Sequence, residues 1–194
     1  MTDDNQKVIL LDRDGTLIEE KDFLTDVDDI EIFPHSSEAI GILRKLGYVI
    51  VVVSNQSGVA RGYLTEQQVI EINEEIFRRL EKQDARPDLF FYCPHHPEAT
   101  VAEYRVECDC RKPAPGMVRM AEKLLNIDIR TCFSIGDKLS DVQLCQNLGG
   151  KGILVLTGYG KSELEKSESA GTWPDYIADN LLDAAHWIQK ILEH

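Results

Sequence analysis

An α/β fold with a doubly wound, mainly parallel sheet is the class this chain predicts. Two observations carry it. Short apolar runs alternate with amphipathic helical stretches along the chain, the order that right-handed crossovers convert into parallel strands covered by helices. The runs that read as strands are also continuously apolar rather than alternating, as strands buried on both faces must be.

Residues 8–11 form the first such run, which ends at Asp12-Arg13-Asp14-Gly15-Thr16. Gly15 permits a sharp turn there, and the Thr16 hydroxyl can bond the nearby backbone. Ala39, Leu43 and Leu46 then line one helical face, with Gly47 as its C-cap. Residues 48–53 are the second strand, running into Ser54-Asn55-Gln56-Ser57-Gly58. Thr65 and Gln68 make a capping box for a helix whose apolar face is Val69, Ile72, Ile76 and Leu80. Residues 89–92 are a third strand. Met117, Met120, Ala121 and Leu124 mark another helix face, and residues 132–135 a fourth strand ending at Gly136-Asp137. Ser140 and Gln143 read as a second capping box, opening a helix stopped by Gly149-Gly150. Residues 153–156 are a fifth strand and residues 176–177 a short edge strand. Asn180 caps a last helix through Leu181, Ala184, Ile188 and Leu192. Two long irregular stretches remain, 92–115 and 158–174, and irregular segments of that size are usually functional or externally organised.

The 194 residues suit one domain over 1–194, and an apolar share of 43% is ordinary for a globular protein. A formal charge of −13 argues against nucleic acid or an anionic membrane as a partner. No apolar stretch approaches the about 18 residues of a membrane span. Met1-Thr2-Asp3-Asp4 has neither the positive start nor the apolar core of a signal peptide, so a cytoplasmic protein is expected. No heptad seam or surplus apolar stripe is visible, and a monomer is the expectation. Five cysteines are an awkward odd number for a disulfide framework; in a reducing compartment, clustered cysteines point to metal. Cys132 and Cys145 fall on a strand and a helix face and read as core residues.

Three strand-like runs end in residues suited to one phosphate site: Asp12 with Asp14, Ser54, and Asp137. A parallel sheet brings its carboxyl ends, and hence these residues, to one edge. Taken alone, Asp-x-Asp-Gly is an ordinary Asx turn closing a strand. Companions at two other strand ends favour a site. Three carboxylates and a hydroxyl form a hard-oxygen set suited to Mg²⁺, and Lys112 or Lys138 would relieve their repulsion.

In that order, Asp12-Arg13-Asp14-Gly15-Thr16, Ser54-Asn55-Gln56, Lys112 and Gly136-Asp137-Lys138 resemble the four motifs of the haloacid dehalogenase-like phosphohydrolases, which have a Rossmann-like fold. The resemblance implies a two-step phosphoryl transfer. Asp12 would be the nucleophile, forming an aspartyl-phosphate, and Asp14 the general acid and then base. Ser54 and Lys112 would hold the transferring phosphoryl oxygens. Mg²⁺ would rest on Asp12, the backbone carbonyl of Asp14, and Asp137. Serving as an acid, Asp14 is expected to have a raised pKa.

Cys93-Pro94-His95 and Cys108-Asp109-Cys110 form a C-x-H and C-x-C pair with 12 residues between them. Three thiolates and an imidazole are a closed tetrahedral set of the structural Zn²⁺ type. The loop has little apolar content, so a metal is a credible substitute for a core. His96 competes with His95 as the fourth ligand.

This loop, Cys93-Pro94-His95-His96-Pro97 with Cys108-Asp109-Cys110-Arg111-Lys112-Pro113, resembles that of the bacterial D,D-heptose 1,7-bisphosphate phosphatases, which are capless members of the superfamily. The stretch 55–62, Asn-Gln-Ser-Gly-Val-Ala-Arg-Gly, supports the same resemblance. Histidinol-phosphate phosphatases, with a related but shorter zinc loop, are the alternative. The implied reaction is removal of the C7 phosphate from a heptose bisphosphate, for the supply of nucleotide-activated heptose to lipopolysaccharide or surface glycans. Ser54, Asn55, Gln56, Arg111, Lys112 and Lys138 are the expected substrate contacts. In this reading zinc fixes the loop so that Arg111 grips the phosphate that stays, while Lys112 serves the one that leaves. Arg61 is a weaker candidate, and Asp26, Asp28, Asp29 and Glu31 read as a solvated face.

Overall fold

The computed structural model describes residues 6–193; residues 1–4, read above for a leader, lie outside them. Its six strands are β1 (Gln6–Leu11), β2 (Tyr48–Asn55), β3 (Leu89–Cys93), β4 (Ile127–Gly136), β5 (Lys151–Val155) and β6 (Tyr176–Ala178). They form one sheet in the order β3-β2-β1-β4-β5-β6, and every neighbouring pair is parallel. The chain thus starts at the centre, winds outward through β3, and returns to wind outward on the other side. The direction reverses between β1 and β4, where such sheets open a ligand crevice at their carboxyl ends.

The sheet is covered on both faces, by α1 (Ser36–Lys45), α3 (Glu66–Glu81) and α8 (Leu181–Leu192) on one and α4 (Gly116–Leu124) and α5 (Leu139–Gln146) on the other. Strand β1 shows why its run had to be apolar throughout. Ile9 and Leu11 pack with Ile40, Leu43, Ile72 and Ile188, while Val8 and Leu10 pack with Met117, Val118 and Leu144. The register pairs Leu11 with both Val52 and Ile135, so the residues just beyond these strands emerge at one level. The backbone N–H of Asp12 still donates to the Ile135 carbonyl at 2.9 Å.

Several local expectations change. The buried face of α4 is Met117, Val118 and Ala121, whereas Met120 and Leu124 are 48% and 67% exposed; contact with β4 outweighs the helical spacing that grouped them. Leu192, in the last turn of α8, is also exposed. Helix α5 begins at Leu139, and its first turn is closed by Asp141, whose carboxylate accepts from the Lys138 N–H at 3.0 Å, so Ser140 and Gln143 do not form the cap. Strand β4 begins at Ile127, well before residue 132, because its first residues pair with the start of β1 across a register shift. The stretch 158–174 contains two short helices, α6 (Gly160–Glu165) and α7 (Ser167–Ala170), and a single turn, α2 (Ser57–Ala60), follows β2. Cys132 and Cys145 are buried core residues as expected, but their sulfurs are joined as a disulfide between β4 and α5, with Cα atoms 6.4 Å apart. After β1 the chain folds into a flap, closed where Ile18 bridges Ile32 and the Glu19 N–H donates to the Glu31 carbonyl. Among the described residues, no helix is long and apolar enough to cross a membrane.

Candidate active site

The ends of β1, β2 and β4 converge as the register requires. Asp12, Asp137 and Asp141 each offer a carboxylate oxygen to one cluster within 4.8 Å, and all three are buried. Lys112 stands among them, its Nζ 2.7 Å from Asp12 Oδ1, 2.6 Å from Asp141 Oδ1 and 2.6 Å from the Val53 carbonyl. Burial works against the ammonium, but Asp12 and Asp141 win and hold the Lys112 pKa above the ordinary lysine value. Asp137 is held from behind by the Tyr159 N–H, which donates to Oδ2 at 2.8 Å. A Cβ on Gly15 or Gly158 would collide with that oxygen, and both glycines have positive φ, so the backbone closes around this carboxylate. Its Oδ1 has no hydrogen-bond partner. Burial first, and then the charge of Asp12, push Asp137 up to about 8. An orphaned buried oxygen facing two further carboxylates is a fit for a small, hard divalent cation. Asp141 is a residue that sequence reasoning missed: it lies four residues after Asp137, in the first turn of α5, and an acid opening the helix directly after the strand end was available as a signal.

Asp14 stands apart from this cluster. The Arg13 guanidinium forks onto it, with Nη2 2.9 Å and Nε 3.1 Å from Oδ1, and Gln56 Nε2 donates to Oδ2 at 2.8 Å. The same Gln56 nitrogen donates to Ser54 Oγ at 2.7 Å, joining Ser54, Gln56 and Asp14 in one network. The expectation of a raised pKa is corrected here. Burial does push the Asp14 carboxyl up, but the Arg13 charge and the hydrogen bonds from Arg13 and Gln56 outweigh it and hold the group below the usual carboxylate value. Lys138 lies 3.3 Å from Glu20 and 3.8 Å from Asp137, over the ring of Tyr159. Asn55 bonds the backbone of Lys112, accepting at Oδ1 (3.0 Å) and donating from Nδ2 (3.2 Å), so it positions that lysine, and its second N–H stays on the cleft side, where Asn55 is one of the lining residues. A cleft of about 380 Å³ opens beside these groups, lined among others by Asp14, Glu20, Gln56, Arg61, Lys138 and Tyr159.

The second cluster lies at the base of the loop after β3. Cys93, His95, Cys108 and Cys110 all fall within 4.8 Å of one another, with Cys110 Sγ 3.0 Å from Cys93 Sγ and 3.2 Å from Cys108 Sγ. His95 presents Nδ1 to Cys110 Sγ at 3.3 Å, whereas His96 turns its Nδ1 to the Glu98 N–H, so the geometry selects His95. Burial, with the two other sulfurs close by, raises the Cys110 thiol well above its ordinary value. Such crowding of three sulfurs and an imidazole fits a Zn²⁺ that keeps the sulfurs as thiolates. Arg111 follows directly, half-buried, its Nη1 donating to the His95 carbonyl at 3.2 Å.

A family model described as HAD-hydrolase-like matches residues 109–184. The chain is 40% identical over 184 residues to a protein of Escherichia coli K12 named D-glycero-β-D-manno-heptose-1,7-bisphosphate 7-phosphatase, covering 94% of this chain and 93% of that one. The chain belongs to this phosphatase family. A member from Pasteurella multocida is 39% identical, with 96% of this chain and 98% of the relative covered. The crystal structure of the family's D,D-heptose 1,7-bisphosphate phosphatase from B. bronchiseptica, complexed with magnesium and phosphate, superposes with a TM-score of 0.80 at 30% identity, covering 95% of this chain and 99% of that one. The Burkholderia thailandensis enzyme does so with a TM-score of 0.67 at 27% identity, over 95% and 99% of the two chains.

Proposed function

We propose that this chain, as one phosphatase domain over 1–194, removes the C7 phosphate of D-glycero-D-manno-heptose 1,7-bisphosphate, and that it works as a cytoplasmic monomer. The observation that carries the reading is the continuity of Cys108-Asp109-Cys110-Arg111-Lys112: the sulfur cluster ends two residues before a lysine seated among the site carboxylates. Asp12 attacks phosphorus while the bond to the sugar oxygen breaks, and Lys112 and Ser54 hold the phosphoryl oxygens. Asp14, ionised at rest, takes up a proton when the phosphate dianion enters beside it and gives it to the departing sugar oxygen; it then takes one from the water that cleaves the aspartyl-phosphate and frees inorganic phosphate. Asp12, Asp137 and the Asp14 carbonyl would hold Mg²⁺, with the Asp141 carboxylate in the same cluster, and the ion would supply charge neutralisation. Arg111, steadied by the His95 carbonyl, faces the phosphate that remains.

Competing substrates test this reading. We expect a higher kcat/KM for heptose 1,7-bisphosphate than for histidinol phosphate; the reverse order would assign the chain to histidinol phosphate.

A further inference from the structure

Arg13 is the group that the scheme above leaves without a task. It is 2% exposed and among the largest fully buried side chains, although it carries a full charge and lies between the nucleophile and the proton carrier. Two of its nitrogens fork onto Asp14; the third, Nη1, donates to Asn73 Oδ1 at 3.0 Å. Asn73 comes from the middle of α3, 60 residues away, where the other buried residues are Val69, Ile72, Ile76 and Leu80. An amide in that apolar row is costly, and its Nδ2 meets no acceptor at all. Only its carbonyl is used, and Arg13 is what uses it.

We propose that Arg13 and Asn73 are positioning residues: Asn73 fixes the guanidinium from the core, and the guanidinium fixes the Asp14 carboxylate on the wall of the substrate cleft. Gln56 closes the remaining side and ties the same carboxylate to Ser54. The arrangement explains why the residue between the two aspartates is an arginine. A lysine could supply the charge, but not a planar fork with a third donor left for the core anchor. It also places part of the proton-transfer machinery on α3, an element with no other polar contact to the strand-end carboxylates among the described residues.

The inference rests on Asp14 as the proton donor, and leaving-group dependence tests both ideas separately. An aryl ester such as p-nitrophenyl phosphate departs without a proton; an alkyl ester of a sugar or of histidinol does not. Single-turnover phosphorylation of the enzyme would be followed with p-nitrophenyl phosphate and with the better of heptose bisphosphate and histidinol phosphate. Asn73→Leu and Arg13→Met are expected to slow the alkyl reaction roughly tenfold or more beyond any effect on the aryl one, with KM little changed. Asn73→Asp, which keeps an acceptor for Nη1, should restore the wild-type ratio. Equal losses on both esters, or no loss on either in Asn73→Leu, would reduce the contact to a structural ion pair and overturn the proposal. Asp14→Asn is the control: if it too lacks the alkyl–aryl split, Asp14 is not the donor and the reading beneath the proposal fails. If Asp14→Asn shows the split and Asn73→Leu does not, only the positioning role is lost.

Discussion

The oxygen cluster and the sulfur cluster are built by opposite means. Asp12 and Asp137 follow adjacent parallel strands whose apolar residues are almost wholly buried, and Asp141 sits in the first turn of α5. Their mutual repulsion is therefore imposed by a scaffold that stands without them. Cys108 and Cys110 belong to a segment with one short 3-10 turn and few buried apolar side chains, Ala99 being one. Its other ties are few: the Val101 N–H on the Ala60 carbonyl at 3.1 Å, and Tyr104, which packs on the edge of the core and donates to Glu66 beside Tyr92 of β3. One cluster is a strain that the fold holds in place, and the other holds the fold in place. Removing a ligand should thus harm chemistry in the first and structure in the second.

The largest effect should come from Asp12→Asn, which removes the attacking oxygen. We expect kcat to fall roughly 10⁴-fold or more, as when a covalent nucleophile is lost, with the melting temperature little changed, because relief of the repulsion from Asp137 and Asp141 offsets the lost Lys112 pairing, which Asp141 keeps in part. A large fall in melting temperature would show that the oxygen cluster is structural after all. Cys110→Ala should invert the pattern, with bound zinc lost from the purified protein and the melting temperature lower by about 10 °C or more. Activity should decline with it through displacement of Arg111 and Lys112, and Mg²⁺ should not restore it. Unchanged melting with zinc lost would break the contrast. The smallest effect concerns pH. Asp137 is raised in the folded state to about 8, against about 4 for an ordinary carboxyl. Its contribution is therefore fully present below the ordinary value and is lost as pH rises through the raised one. Mg²⁺ should offset that loss, so its stabilisation, a few degrees in a melting scan, should be larger at pH 8 than at pH 5.5. Equal gains at both values would mean that the cation does not relieve Asp137.

The same contrast explains what could be read before the fold was seen. Continuous apolar strands announce a parallel sheet, and a parallel sheet announces a common edge, so Asp12, Ser54 and Asp137 could be brought together from spacing alone. The C-x-H and C-x-C pairs were legible because thiolate chemistry leaves few other uses for such a set. The phase of α4 was not, since Met120 and Leu124 keep the right spacing and only the position of β4 decides which side is covered. Arg13 was also hidden: on a turn, side-chain direction follows no period, and its anchor is 60 residues distant on a helix whose pattern is otherwise apolar. The expectation for Asp14 failed because it followed from the role of an acid, and the charge of the adjacent Arg13 was not weighed against it.

The few ties of the loop after β3 have a consequence for the protein's lifetime. With few buried apolar side chains, the segment between Cys93 and Cys110 should owe its local opening free energy mainly to a bound ion, and should then detach as a unit while the sheet stays intact. A cell short of zinc would then meet this protein first as a protease substrate, nicked within residues 96–107, and only afterwards as a weakened enzyme. Abundance, rather than turnover, would report metal supply.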